Sequence, residues 1–343
     1  MKRTARVVAI ALFAIAALPA KPQSLSTMPD YKPRHQLSGT IRIRGDYHQR
    51  AMLKNWETGF REYQPNIVFD DELTSTIHGI PALVFGLADL ALLGREIAPL
   101  ENLSFRRMFK YDPTEIVTAT GSYDTPYQTF ALGIFVNRTN PLTRLSFSEA
   151  AGIFGCGAGR NIRTWGQLGL AGEWANKPIH VLGYPSANNI ASFFELKVLQ
   201  SPPSAGPTLP HGVHWNCDLK EYSNDYDKND KPTVSSDAYM MKDLGDDAYA
   251  IAYSGIAEQT PKVKPLALAA KDSGPYVQLT PQTVADRTYP LARSMYIYLN
   301  RAPGRSLEPK VAEFVGYILS RQGQQAVTRQ HVFLPLTATA IAE

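Results

Sequence analysis

Short runs of alternating apolar and polar residues are repeatedly followed by apolar residues at helical spacing. Residues 40–44 (TIRIR) alternate with a period of two, and Met52, Trp56 and Phe60 then recur on one face of a helix. Strands that alternate with helices indicate α/β layers around a mainly parallel sheet. Further strands are predicted near 67–69, 90–93, 130–137, 179–182 and 248–253.

Several later stretches carry their own local signals. The apolar run FALGIFVN at 130–137 predicts a buried central strand. A helix is predicted at 146–154, because Ser146 at its start and Glu149 three residues later have the spacing of a capping box. The segment 201–235 is dense in Pro, Asn, Asp and Gly, which predicts a long loop.

The first twenty residues have the composition of a secretory signal. Three basic residues precede an apolar run at 7–18, and small residues follow it. The run is short for a membrane span, although an N-terminal anchor helix is the alternative. We therefore predict a signal peptide at 1–20 and, because the next residues are rich in Pro and polar side chains, a linker at 21–37.

The net charge argues against several classes of partner. The chain has 343 residues, enough for two domains, and a formal charge of +4. Three of the positive charges lie in the predicted signal peptide, so a mature chain carries about +1, which is too little for a nucleic-acid or acidic-membrane binding surface. We predict no nucleic-acid partner.

The cysteines predict a disulfide. An exported protein meets an oxidising compartment, which permits a bond between Cys156 and Cys217, and two unrelated buried thiols are the alternative.

His211, His214 and Cys217 have an H-x-x-H-x-x-C spacing, but a fourth ligand is not evident. We therefore predict no metal site.

The polar turn at 184–189 (YPSANN) follows a short apolar strand and precedes an apolar helix that begins near Ile190. Such a corner presents unpaired backbone N–H groups, and the helix dipole adds partial positive charge. The pattern favours an anion-binding site.

Four separated motifs resemble one family, the PstS-like phosphate-binding proteins of bacterial ABC importers. The motifs are TWGQLGLAGEWANKPIHVLGY with its FFE-K-VL helix, GIPALVFGLADLALLGREIAPLE at 79–101, FVNRTNPL at 135–142, and YPLARSMYIYL at 289–299. Together they span most of the chain after Leu37.

The resemblance implies an α/β, two-lobe periplasmic binding protein fold of type II-like form. Its first lobe is discontinuous and comprises 38–129 and 262–343, with the return crossing at 263–269 and an aromatic strand at 289–299. The second lobe comprises 130–261.

The resemblance also implies a cleft lined by loops at the carboxyl ends of strands. The residues that it places at the ligand are Asp46, Ser75, Thr76, Gly94, Arg95, Tyr184, Asn188 and Asn189.

Some of these residues depart from the family pattern. An ionised Asp46 cannot donate a hydrogen bond, so it suits phosphate only by accepting a proton from a ligand oxygen; otherwise the ligand differs, or Asp46 bonds its own turn. Arg95 either binds an oxyanion through two parallel hydrogen bonds or forms an ion pair with Glu96 or Asp89. Tyr184 stands near the position of an Arg in relatives.

These observations predict a monomeric, periplasmic solute-binding protein, not an enzyme. It would capture an oxyanion, phosphate first, without a cofactor, and pass it to the permease of an ABC importer. One alternative is the same scaffold with another ligand or a sensor role. The other is a secreted phosphate-ester hydrolase that uses Asp46 and His48, although G-x-S-x-G, Walker and HExxH motifs are lacking. Trp165, Trp174 and Trp215 either stack on a ligand or pack the lobe.

Overall fold

A computed structural model of the chain describes residues 25–125, 128–156, 161–185, 188–199, 214–215, 218–226, 232–337 and 341. The strands are β1 (Ser38–Gly45), β2 (Asn66–Leu73), β3 (Leu90–Leu93), β4 (Thr114–Thr120), β5 (Leu132–Asn137), β6 (Arg144–Ser146), β7 (Gly155–Cys156), β8 (His180–Gly183), β9 (His214–Trp215), β10 (Lys220–Glu221), β11 (Asp225–Tyr226), β12 (Pro232–Val234), β13 (Ala250–Gly255), β14 (Val263–Pro265), β15 (Ala267–Ala269) and β16 (Ser294–Leu299). The helices are α1 (Arg50–Arg61), α2 (Gly79–Val84), α3 (Pro99–Phe109), α4 (Phe147–Phe154), α5 (Asn189–Val198), α6 (Ser236–Asp246), α7 (Pro281–Ala285), α8 (Pro309–Ile318) and α9 (Arg321–Thr328). None of the helices in these ranges combines the length and the apolar character that crossing a bilayer requires.

The first lobe is built on a sheet with the strand order β2-β1-β3-β16-β4. β1 runs parallel to β2 and β3, whereas β16 runs antiparallel to β3 and β4. Helices α1, α8 and α9 cover one face with a core around Trp56, Phe60 and Phe314. Helices α2 and α3 cover the other face through Leu83 and Phe105.

The second lobe repeats this arrangement with the order β10-β8-β13-β5-β14. β8 runs parallel to β10 and β13, and β5 runs antiparallel to β13 and β14. All residues of β5 are buried, as the apolar run at 130–137 predicts. Each sheet is therefore mainly parallel, with one antiparallel strand, β16 in the first lobe and β5 in the second, and each of these strands enters its sheet from the opposite lobe.

The predicted helix start at Ser146 is confirmed. The Ser146 side chain caps α4 by accepting from the Glu149 backbone N–H, at 3.3 Å, and Glu149 Oε2 accepts in return from the Ser146 backbone N–H, at 2.8 Å. The capping box is thus a reliable local signal in this sequence.

Two passages connect the lobes and lie side by side. The Gly121 backbone N–H donates to the Arg293 carbonyl at 2.7 Å, and Leu132 N–H donates to the Leu291 carbonyl at 3.1 Å. The structure differs here from the predicted return at 262, because β14 pairs with β5 and the side chains that follow, such as Leu268 and Val284, belong to the second core. The second lobe extends to about residue 291, and the predicted strand at 289–299 begins only at Ser294.

The predicted linker at 21–37 also differs from the structure, which describes it from residue 25. Met28 and Tyr31 are buried against the first lobe. The Tyr31 hydroxyl donates to Glu313 Oε2 at 2.6 Å, and its ring meets the Tyr317 ring edge-on. Isolated aromatic anchors among prolines leave no periodic pattern, so the sequence gives no sign of this packing.

The two predictions for the cysteines and the leader fall largely outside the described residues. The predicted signal peptide at 1–20 lies outside them, and so does Cys217. Cys156 ends β7, opposite His214 of β9. The disulfide stays a prediction.

Gly45 is a position at which the backbone requires glycine. Its φ is +143°, and a Cβ there would lie 2.0 Å from the Leu92 carbonyl oxygen. We expect Gly45→Ala to lower the free energy of unfolding by about 3 kcal/mol, because β1 must move away from β3.

Gly86→Ala is the matched control for this change. Gly86 also has a positive φ, +67°, but a Cβ there would meet nothing within 4 Å. Its expected cost is about 1 kcal/mol, from the left-handed backbone alone. Urea denaturation of both variants checks the difference, and equal costs would contradict it.

Candidate ligand-binding site

A cavity of about 250 Å³ lies between the lobes at the edge where the strands β1, β3, β8 and β13 end. Both lobes contribute to its walls, and so does the passage between them. The lining residues are Asp46, Tyr47, His48, Thr76, Gly94, Arg95, Gln128, Thr129, Phe130, Asn188, Ile190, Asn224, Ser236, Asp237 and Arg293.

Asp46 is placed in the cavity by the turn that ends β1. Its backbone N–H donates to the Leu92 carbonyl at 2.9 Å, and the residue is 3% exposed. Asp46 Oδ1 accepts from the His48 backbone N–H at 3.1 Å and contacts His48 Nδ1 at 2.8 Å. The absence of a side chain at Gly94 makes room for this carboxyl group, because a Cβ there would lie 2.4 Å from Asp46 Oδ2.

Arg293 is the strongest cationic feature of the cavity, and the sequence analysis did not single it out. Arg293 is 8% exposed. Its Nη2 donates to the Gly94 carbonyl at 3.3 Å, and its Nε has no hydrogen-bond partner among the described residues. The guanidinium carbon lies 4.9 Å from the centre of the Phe193 ring in α5. Burial lowers the pKa of the guanidinium to about 10, although the Asp46 and Glu96 carboxylates act in the opposite direction.

Arg95 also lines the cavity, but its guanidinium group already binds a carboxylate. Its Nη1 and Nη2 donate to the two oxygens of Glu101 at 2.8 and 2.9 Å. The sequence analysis named Glu96 or Asp89 as an ion-pair partner, and both are wrong. Glu96 offers its backbone carbonyl to Arg95, and Asp89 pairs with Arg42 at 2.7 Å. A contact between Arg95 and a ligand stays a prediction.

Tyr184 lies behind the wall of the cavity instead of lining it. Its side chain is fully buried, and its hydroxyl donates to Asp237 Oδ1, which also accepts from the Ser254 hydroxyl at 3.1 Å. Burial and the Asp237 carboxylate raise the pKa of Tyr184 well above its ordinary value. Tyr184, which was predicted to contact the ligand, thus supports a carboxylate behind the wall.

The remaining predicted residues divide between the wall and its surroundings. Asn188 lines the cavity and caps α5, because its Oδ1 accepts from the Ile190 backbone N–H at 2.7 Å. Thr76 lines the opposite wall, whereas Ser75 precedes it without lining the cavity. Asn189 is the first residue of α5, and its side chain lies outside the description.

An ion pair bridges the lobes beside Arg293. Lys197 of α5 contacts Glu96 of the first lobe with Nζ and Oε1 2.5 Å apart, and the Tyr296 hydroxyl donates to the same oxygen at 2.8 Å. Burial raises the pKa of Glu96, but Lys197 and Tyr296 outweigh it, so the pKa lies below its ordinary value. A charged contact therefore closes one side of the cleft.

The tryptophans pack inside the second lobe. Trp165 is fully buried and meets Trp174 edge-on, and Trp215 stacks on the rings of Phe194 and Tyr253. None of the three lines the cavity among the described residues. Among the residues that the structure describes, no group of three or more histidine, cysteine or acidic side chains is placed so that it could hold a metal ion.

Several lining residues lie at the amino ends of antiparallel strands, whereas the prediction covered only the carboxyl ends of parallel strands. Because β16 and β5 run antiparallel to their neighbours, their amino ends lie at the same edge. Arg293 precedes β16 and Phe130 precedes β5 for this reason. The start of the helix that carries Asp237 could also be predicted, because Ser235, two residues earlier, is a residue type that favours the N-cap position.

Comparison with known proteins agrees with this architecture. The sequence profile described as the PBP superfamily domain matches residues 32–322. The chain belongs to the PBP superfamily. Among PBP relatives, it is 29% identical over 315 residues to the phosphate-binding protein PstS of Pseudomonas aeruginosa, covering 91% of this chain and 87% of that protein. It is 25% identical over 214 residues to the protein SphX of Synechococcus elongatus, covering 61% and 55%.

Solved structures of PBP proteins share the two-lobe fold. PstS from Borrelia burgdorferi superposes with a TM-score of 0.59 at 15% identity, covering 88% of this chain and all of that one. An ABC-type phosphate transport receptor from Vibrio cholerae superposes with a TM-score of 0.53 at 16% identity, covering 87% of this chain and all of that one. The agreement concerns the fold.

The contact between Tyr184 and Asp237 predicts an unequal cost for two tyrosine changes. Tyr184→Phe removes a donor from a carboxylate, so we expect it to lower the free energy of unfolding by about 2 kcal/mol. Tyr289→Phe is the control, because the Tyr289 hydroxyl donates to a neutral carbonyl, that of Leu132, at 3.0 Å. Its expected cost is about 1 kcal/mol. Thermal and urea unfolding give both values, and a Tyr184→Phe cost no larger than the control would contradict a stronger hydrogen bond to Asp237 than to the Leu132 carbonyl.

Proposed function

We propose that this chain is an exported solute-binding protein that holds phosphate between its lobes and delivers it to the membrane permease of an ABC importer. The observation that carries the proposal is the buried Arg293 guanidinium at the cavity wall, whose Nε lacks a partner within the described residues. A buried charge of this kind is costly unless something pairs with it. An anionic ligand supplies that pair.

The walls offer further donors to an oxyanion. The helix α5 points its N-terminus at the cavity through Asn188, whose amide group can donate while its oxygen caps the helix. Thr76 and Thr129 add hydroxyl groups from the first lobe. Charge-assisted hydrogen bonds from Arg293 would be the strongest of these contacts.

Asp46 favours a ligand that keeps a proton. An ionised carboxylate cannot donate, so it is compatible with an oxyanion only when it accepts a hydrogen bond from it. Phosphate can retain a proton on one oxygen and still present others to Arg293. The similarity to a phosphate-binding protein of Pseudomonas aeruginosa supports the same choice of ligand.

The proposed function makes and breaks no bond. Asp46 and His48 do contact each other, as the hydrolase alternative requires, but no serine, threonine or cysteine within the described residues hydrogen-bonds His48. The pair therefore lacks the hydroxyl or thiol nucleophile that a nucleophile–base–carboxylate arrangement requires. Binding would instead come from closure of the lobes around the ligand.

The location and the partners follow from the same proposal. The predicted signal peptide at 1–20 and the similarity to PstS support export to the periplasm and a permease partner. The monomeric state stays a prediction.

Replacement of Arg293 tests the proposal. We expect Arg293→Met to weaken phosphate binding by at least about tenfold, because it removes the charged donor, and Arg293→Lys to weaken it less. Isothermal titration calorimetry with inorganic phosphate measures both, and circular dichroism of each unliganded variant checks that it folds.

The control is Arg106→Gln, a surface arginine of the same lobe that pairs with Asp112 at 3.4 Å and lies outside the cavity. It should bind phosphate like the unaltered protein. Phosphate binding that survives Arg293→Met unchanged would count against the proposed site, and absence of phosphate binding by the unaltered protein would count against the proposed ligand.

A further inference from the structure

The side chains that line the cavity carry charges of both signs. Asp46 and Asp237 contribute negative charges from opposite lobes, and Arg293 contributes a positive one. Arg95 lines the cavity as well, but Glu101 neutralises it through two hydrogen bonds. Apart from the Arg95–Glu101 pair, the lining thus presents the carboxyl groups of Asp46, which contacts His48, and Asp237, together with the Arg293 guanidinium. A ligand that carries a positive charge as well as a phosphoryl group can use both kinds of charge, whereas inorganic phosphate offers only negative charge.

Hydroxyl donors and a helix N-terminus surround the Asp237 carboxyl group. It lies in the first turn of α6, where the helix dipole favours an anion. Its Oδ1 accepts from the hydroxyls of Tyr184 and Ser254, and both are buried with it.

Asp237 retains the capacity to bind a donor from the cavity. Its Oδ2 has one hydroxyl contact, at 3.4 Å from Ser235, and a carboxylate oxygen can accept two hydrogen bonds. Asp237 itself lines the cavity. A positively charged donor is the group that this carboxylate would bind most strongly.

The cavity also has more room than a single oxyanion fills. A volume of about 250 Å³ is many times what a single water molecule needs. A phosphate group at Arg293 leaves space for a short organic arm toward the wall of the second lobe. Phe130 and Ile190, which also line the cavity, supply apolar surface for such an arm.

We propose that the site prefers a zwitterionic phosphate compound, in which a phosphoryl group binds Arg293 and an ammonium group on a short alkyl arm binds Asp237. This inference rests on the proposed function, because it keeps the phosphoryl group at Arg293. It adds the second half of the ligand and makes Asp237 the residue that determines specificity.

Three related probes separate the contributions. Isothermal titration calorimetry of the mature chain would use inorganic phosphate, ethyl phosphate and 2-aminoethyl phosphate, of which the last two differ by the ammonium group. We expect 2-aminoethyl phosphate to bind about tenfold or more tightly than either of the others, because the buried Asp237 charge then gains a partner.

Asp237→Asn keeps the shape of the side chain and removes its charge. We expect the advantage of 2-aminoethyl phosphate over ethyl phosphate to fall to about twofold or less in this variant. Asp243→Asn is the control, because Asp243 lies later in the same helix and pairs with Lys220 at 2.7 Å outside this cavity. It should leave the advantage intact.

A second measurement changes the ligand and leaves the protein unaltered. N-acetyl-2-aminoethyl phosphate lacks the positive charge, so it should lose the advantage even if Asp237→Asn fails to fold. Equal binding of ethyl and 2-aminoethyl phosphate, or tightest binding of inorganic phosphate, would overturn the inference and leave the proposed function standing. Failure of all the phosphate compounds to bind would overturn both.

Discussion

A buried guanidinium at the junction of the two lobes is the constraint on which this structure depends. Arg293 lies in the passage that returns to the first lobe, contacts the Gly94 carbonyl on one side and rests on the Phe193 ring of α5 on the other. Its charge has been removed from water and only partly compensated. Because the guanidinium lacks a full set of partners, the cleft is suited to an anion. Closure of the two lobes around the anion would bury the charged contact.

The fold follows largely from local patterns in the sequence. The alternation at 40–44, the apolar run at 130–137 and the capping box at Ser146 each correspond to an observed element, and the family motifs supply the two-lobe arrangement. The return point between lobes was misplaced because the run at 263–269 has strand character in either lobe. Only pairing with β5 decides that it belongs to the second.

The candidate site could be predicted only in part, because its residues come together through long-range pairing. Asp46, Thr76 and Asn188 follow strands or turns whose role the sequence reveals, and all three line the cavity. Arg293 and Asp237 reach it through an antiparallel strand and a helix start far away along the chain. The partner of Tyr184 was equally hidden, since 53 residues separate it from Asp237.

The most direct measurement is a crystal structure of the protein grown with arsenate, a tetrahedral oxyanion whose anomalous scattering identifies it. The account predicts an arsenic peak between the lobes, with one arsenate oxygen within hydrogen-bond distance, about 3 Å, of the Arg293 guanidinium group. An arsenic peak elsewhere on the chain, or an interlobe cavity in which Arg293 pairs with a protein carboxylate and excludes the anion, would contradict it.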